Sequence, residues 1–271
     1  MKRPRDASER HMHVEIADTG SGLPILFVPG SFSTPAAWRP IQAQLPQGFR
    51  RVSIALCGYG RTEDTRSLHD CGFEHHVLAL ATAARQIGEP VHLVGHSMGG
   101  TVALLALLQG AVEALTLTTF EANIFPILRG TSEQALYDET LAMSTAFEAA
   151  YFAGEVDAAG RIIDFWGGDG AFAAMPEPVR EYCRQTCLAN VLDWRGVHSI
   201  TARAEDFAQL ALPTRLVTGA KAHPVMHALT ARLLGAMPHA DAAQVNGANH
   251  SLITTHPQDC ARHLVETLAR V

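Results

Sequence analysis

Short apolar runs that end in glycine alternate with longer stretches of helical spacing over the first 120 residues of the chain. Residues 23–30, 51–58 and 91–95 are apolar segments of strand length. Residues 73–87 and 99–108 instead repeat their apolar positions at three- and four-residue intervals. Strands that are apolar on both faces, separated by helices, predict an α/β domain with a mostly parallel, doubly wound sheet. The alternation returns near the end, with strands expected at 214–218 and 242–245 and helices at 225–236 and 257–271.

Between these halves the pattern changes. From 122 to 209 the chain is rich in alanine, glutamate and aromatic residues, with helix-like stretches at 132–152, 157–166 and 177–191. Gly167-Gly168-Asp169-Gly170 interrupts them, and Leu212-Pro213 marks the return to strand and helix. The reading is a discontinuous core, 1–121 and 210–271, with a helical insertion at 122–209. Because the insertion starts directly at a strand end, it is expected to be a cap over an active site.

A chain of 271 residues with 47% apolar content is long enough to bury one sizeable core. A net charge of −6 argues against a nucleic-acid surface, which needs a basic stripe. Residues 1–13 are basic but polar, and no apolar segment follows them. Neither a signal peptide nor a membrane helix is therefore expected there, and about the first ten residues read as a loose leader. Five cysteines form no framework spacing. Cys183 and Cys187, four apart, invite a metal-ligand reading, but no partner ligands accompany them. Small residues on one helix face is the better reading, in a reduced, cytoplasmic protein.

The strongest chemical signal is Gly95-His96-Ser97-Met98-Gly99. The pentapeptide alone is common. Here an apolar strand precedes it and an apolar helix follows, the context a nucleophile elbow requires. The competing reading, a glycine-rich turn without chemistry, does not need that context. The turn leaves no room for side chains at Gly95 and Gly99 and lifts the Ser97 hydroxyl clear of the sheet. The Met98 amide, at the helix start, is then a donor to an oxyanion. A serine hydroxyl needs a base. Val245-Asn246-Gly247-Ala248-Asn249-His250 places a histidine just past the last expected strand, before the closing helix. His256 looks like part of that helix's start, and His96 is expected to pack away from a substrate approaching Ser97. His250 is the expected base.

On these residues the chain resembles the serine hydrolases of the α/β-hydrolase fold, of the capped, esterase-like kind. The resemblance covers nearly everything after His13. Leu56-Cys57-Gly58-Tyr59-Gly60-Arg61-Thr62 is similar to that family's DxxGxGxS turn, with Ala55 where the aspartate would stand. Val28-Pro29-Gly30-Ser31-Phe32 resembles its HG loop, with Pro29 in place of the histidine. That loop implies a second oxyanion donor, the amide of Ser31 or Phe32. The exchange for Pro29 removes a side chain but no backbone donor.

The acid departs from the common pattern. In most of the family an aspartate follows the next-to-last strand, whereas Gly219-Ala220-Lys221-Ala222-His223-Pro224 holds no carboxylate. The resemblance offers another place, the end of the strand after the nucleophile helix, the sixth in the family's count. Some haloalkane dehalogenases carry a glutamate there, and Phe120-Glu121-Ala122-Asn123-Ile124-Phe125 is similar to a group of esterase-like hydrolases. Residues 115–120 read as that strand, so Glu121 is the expected acid, within roughly 2.6–3.2 Å of His250 Nδ1. The competing reading is a solvated glutamate at the cap junction. Asp241 precedes the last strand and belongs to the wrong end of the sheet.

A dehalogenase, like a standard epoxide hydrolase, uses an aspartate nucleophile, so Ser97 implies acyl chemistry: a carbonyl attacked, an acyl-enzyme, then water. Trp166, Phe172 and Phe125 are the expected substrate-binding residues of an apolar cap, against the alternative that each belongs to the cap's own core. The expected function is a hydrolase of a small, largely apolar ester or related acyl compound. No cofactor and no metal is expected, and the partner is a small molecule, not a nucleic acid or a membrane. The alternatives are a serine C–C hydrolase of the meta-cleavage type and a non-catalytic ligand receptor on the same fold.

Overall fold

The computed structural model describes residues 12–271, so the leader expected over the first ten or so residues lies outside the described residues. Seven strands form one sheet: β1 (Ile16–Thr19), β2 (Leu23–Val28), β3 (Phe49–Ile54), β4 (Val91–His96), β5 (Ala114–Phe120), β6 (Thr214–Gly219) and β7 (Ala240–Val245). Their order is β1-β3-β2-β4-β5-β6-β7. β1 is antiparallel to β3, and every other pairing is parallel.

The apolar runs have their cause in this arrangement. Successive side chains of a strand point to opposite faces, and both faces here are covered. In β2, Ile25 and Phe27 join a cluster with Trp38, Ile41 and Leu264, while Leu26 and Val28 join one with Leu80, Val102 and Leu104. The helices of the first half are α1 (Arg39–Gln42), α2 (Glu74–Ile87) and α3 (Met98–Leu108). Four more, α4 (Gln134–Phe152), α5 (Ala159–Gly167), α6 (Glu177–Gln185) and α7 (Cys187–Ser199), lie between β5 and β6. The last are α8 (Pro224–Ala236), α9 (Leu252–Thr255) and α10 (Pro257–Leu268). No helix among the described residues is long and apolar enough to cross a membrane.

Besides the one-turn helices α1 and α9, which no pattern announces, two elements differ from the expectation. β1 has no apolar signature because it is a four-residue edge strand that stays mostly exposed. The single helix expected over 177–191 is two helices. It breaks at Thr186, whose Oγ1 donates to the Tyr182 carbonyl at 2.7 Å, a back-bond that bends helices, and α7 then continues to Ser199.

The strand order reverses beside β2: the chain moves outward to β3 and returns across β2 to β4. In an open parallel sheet such a reversal opens a crevice at the carboxyl ends of the strands, where ligands bind. The helices between β5 and β6 pack at that place: Ile162 of α5 and Trp194 of α7 line one cavity with Gly30 and Ser97, just beyond the ends of β2 and β4.

Candidate active site

Ser97 sits between the end of β4 and the start of α3 with φ 53° and ψ −123°. Among the described residues only Phe32, Ser97 and Glu121 combine a side chain with a positive φ. All three lie just beyond the carboxyl ends of β2, β4 and β5. Such backbone costs about 1–3 kcal/mol per residue and persists where its surroundings over-determine it. Here the strand ladder runs on through two of them: Ser97 N donates to Phe120 O and Glu121 N to Val217 O, both at 2.9 Å. Gly95 and Gly99 serve space rather than φ. A Cβ at Gly95 would lie 2.6 Å from Gly100 Cα, and one at Gly99 would lie 2.2 Å from the Val28 carbonyl oxygen.

The three residues read as nucleophile, base and acid meet. His250 Nε2 lies 2.9 Å from Ser97 Oγ, and its Nδ1 lies 2.6 Å from Glu121 Oε2. The other carboxylate oxygen accepts the Gly219 amide at 2.7 Å. Glu121 is only 1% exposed. Burial pushes its carboxyl up, but the His250 hydrogen bond and charge, together with the Gly219 amide, outweigh burial and hold it below the ordinary carboxylate range. An ionised carboxylate only accepts, so Nδ1 carries the proton and the lone pair of Nε2 faces the Ser97 hydroxyl.

Asn123 Nδ2 reaches Ser97 Oγ at 3.4 Å, and Thr101 fixes that side chain by donating to its Oδ1 at 2.8 Å. The Met98 amide opens α3 and has no acceptor within the helix. Among the described residues, the amides of Ser31, Phe32 and Met98 donate to no backbone acceptor. His96 Nε2 donates to the His250 carbonyl at 2.9 Å, with the two rings 5.0 Å apart. Burial, then the neighbouring His250, pushes His96 down to about 3, so it stays neutral. It packs as expected, yet it also reaches the cavity wall.

That cavity has a volume of about 180 Å³ and is lined by Ser97, His250 and Phe32 on one side and by Ile162, Trp166 and Trp194 of α5 and α7 on the other. Trp166 stands on the wall, its ring 4.9 Å from that of His250. Phe125 and Phe172, expected beside it, are not lining residues. Phe125 is fully buried behind the wall, stacked on Trp194 at 5.4 Å and Trp166 at 6.1 Å. Phe172 is buried against Gly160. An apolar ring in a helical segment reads the same whether it faces a ligand or a neighbouring helix, and packing decided these two. Asp241 pairs with Arg215 and Arg270, away from His250. Burial pushes the thiols of Cys183 and Cys187 up to about 11, the behaviour of packed side chains.

Sequence reasoning missed a buried polar cluster where α7 meets the Ser31 loop. Asp193 on α7 accepts from Ser31 Oγ at 2.8 Å, Tyr59 OH at 2.5 Å, Arg66 Nη1 at 2.5 Å and Asn190 Nδ2 at 3.3 Å, while His76 Nε2, 3.2 Å from the carboxylate, accepts from Arg66 Nη1 at 2.8 Å. Burial works against this carboxylate, but the Arg66 charge, then His76 and Tyr59, hold it at about 2. No local pattern announces the cluster, because its members come from five separate segments.

A parallel sheet with a serine elbow after one strand, and a histidine and a carboxylate beyond later strand ends, defines an α/β-hydrolase fold. The sequence profile of the alpha/beta hydrolase family matches residues 25–263, and the chain belongs to that family. An uncharacterised protein of Mycobacterium tuberculosis, Rv2715, is 27% identical over 260 residues, covering 85% of this chain and 71% of the relative. An esterase from Thermogutta terrifontis superposes with a TM-score of 0.74 at 21% identity, over 96% of this chain and 94% of the esterase. An epoxide hydrolase from Vigna radiata superposes with the same score at 18% identity, over 95% and 94%. At these identities the likeness is one of fold. Since it spans two chemistries, the reaction has to be argued from the residues.

Proposed function

We propose that this hydrolase uses Ser97 as a covalent nucleophile on a small, largely apolar ester or related acyl compound. The observation that carries the reading is the unbroken path from the Ser97 hydroxyl through His250 to an ionised, buried Glu121, opening on an apolar cavity. As Ser97 Oγ attacks the carbonyl carbon, its proton passes to His250 Nε2, and the carbonyl electron pair becomes an oxyanion facing the Met98 amide and that of Ser31 or Phe32. Collapse expels the alcohol, which takes the proton from His250. Water then repeats the sequence on the acyl-enzyme, releasing the acid and restoring Ser97. Glu121 keeps its charge throughout and stabilises the imidazolium. Residues 122–209 act as a cap whose Trp166 and Trp194 close the cavity over the acyl or alcohol portion.

A panel of p-nitrophenyl esters of increasing acyl length, run on the wild-type chain and on Ser97→Ala, tests this. The expected result is turnover that favours short apolar acyl groups and falls by roughly 10⁶-fold in the variant. Turnover by purified Ser97→Ala at more than a few per cent of wild type contradicts the assignment.

A further inference from the structure

We propose that Asp193, on α7 of the insertion, is a positioning residue that holds the oxyanion loop through the Ser31 hydroxyl. Docking of α7 thereby completes the oxyanion hole. The inference rests on the serine-hydrolase reading and adds to it a part of the machinery supplied by the insertion.

Asp193 has no free capacity to act on a substrate. One carboxylate oxygen is taken by Arg66, with the His76 ring packed beside it, and the other by Ser31, Tyr59 and Asn190. A buried carboxylate met on both oxygens by such donors is rigid, and it transmits that rigidity to whatever donates to it. Arg66 is itself fixed from the other side by Asp64 through Nε at 2.8 Å and Nη2 at 2.9 Å. The hub is therefore anchored in the core segment that follows β3.

Of its partners, Ser31 lies on the loop that carries the proposed second oxyanion donor. Its hydroxyl proton has two acceptors in reach, Asp193 Oδ2 at 2.8 Å and Met98 Sδ at 3.5 Å, and the charged, nearer oxygen takes it. The next residue, Phe32, has φ 54°, a conformation that relaxes unless its neighbours hold it. The Phe32 ring meets the Tyr59 ring edge-on at 6.3 Å, and Tyr59 is another donor to Asp193. Both candidates for the second oxyanion donor are thus braced from one carboxylate on the insertion, Ser31 by its own hydrogen bond and Phe32 through Tyr59. With α7 undocked, Ser31 and Tyr59 lose that acceptor together.

Ser31→Ala isolates the link, because it removes one hydroxyl and leaves every backbone donor. With the best ester of the panel, we expect kcat to fall about tenfold to a hundredfold, less than the loss of a whole oxyanion donor. A boronic acid that mimics the tetrahedral adduct should bind more weakly by the same factor, while KM and the melting temperature stay at wild-type values. In Asp193→Asn the Ser31 change should add nothing further to the loss, since both act through one contact. Retention of kcat and boronate affinity within twofold by Ser31→Ala overturns the inference, and so does a loss matched by a fall in melting temperature. The Ser31 arm stands even if Asp193→Asn does not fold. A wild-type chain inert to every ester and to the boronate overturns the serine-hydrolase reading and this inference with it. An active wild type with an unaffected Ser31→Ala overturns this inference alone.

Discussion

Glu121 Oε2 lies 2.6 Å from His250 Nδ1, although 129 residues separate them in sequence. β5 and β7 flank β6 in the sheet, and the two residues lie beyond the carboxyl ends of these outer strands. β6 supplies the third contact, through the Gly219 amide on the other carboxylate oxygen.

That third contact sharpens the outcome of Glu121→Gln. The Gly219 amide requires an acceptor, so it orients the new carboxamide with its oxygen toward Gly219 and its NH₂ toward His250. The imidazole must then accept at Nδ1 and carry its proton on Nε2, where it no longer serves as a base for Ser97. Acylation is expected to slow by about 10⁴-fold, as amide substitution of a triad aspartate does. Pre-steady-state release of p-nitrophenol measures it, and an acylation rate within tenfold of wild type contradicts the role of Glu121.

Stability is expected to fall with pH below neutrality. Burial lowers His76 from its ordinary value, lowers His198 to about 4, and together with His250 lowers His96 to about 3. In each case the folded form binds its proton less readily than the unfolded chain. The unfolded chain therefore takes up protons as pH drops through about 6.5, and the stability held above that pH is progressively lost toward 3. Urea midpoints at pH 7 and pH 5 measure this. The midpoint should be lower at pH 5, and the drop should shrink in His96→Gln. Equal midpoints in the wild type contradict the burial of these rings as neutral side chains.

The aromatic residues divide by role. Trp166 borders the cavity beside His250, so Trp166→Ala should raise KM and broaden the preferred acyl length in the ester panel. Phe125 lies behind that wall with no exposure, so Phe125→Ala should cost about 3–5 kcal/mol in stability. Denaturant unfolding alongside steady-state kinetics separates the two. Unchanged acyl preference in Trp166→Ala contradicts its placement as a cavity wall.

The sequence was most legible where the chemistry is local. Ser97 could be read because strand, glycines and helix adjoin it, and His250 because it follows the last strand. Glu121 became readable only through the family resemblance, which offers the end of β5 as a second place for the acid once the loop at Gly219 is seen to hold no carboxylate. Asp193 was not readable: its partners Ser31 and Tyr59 lie 162 and 134 positions away, and each is a common residue in an unremarkable setting. Phe125 and Phe172 were placed on the cavity by their chemistry, which does not encode direction. β1 was missed because its four residues stay mostly exposed at the sheet edge and so carry no apolar pattern.

The most direct test of covalent serine chemistry is intact-protein mass after treatment with a fluorophosphonate, followed by peptide mapping. The account predicts one adduct per chain, located on Ser97, absent from Ser97→Ala and formed far more slowly in Glu121→Gln. An adduct on another residue, or a wild-type chain that stays unmodified while hydrolysing esters, would contradict it.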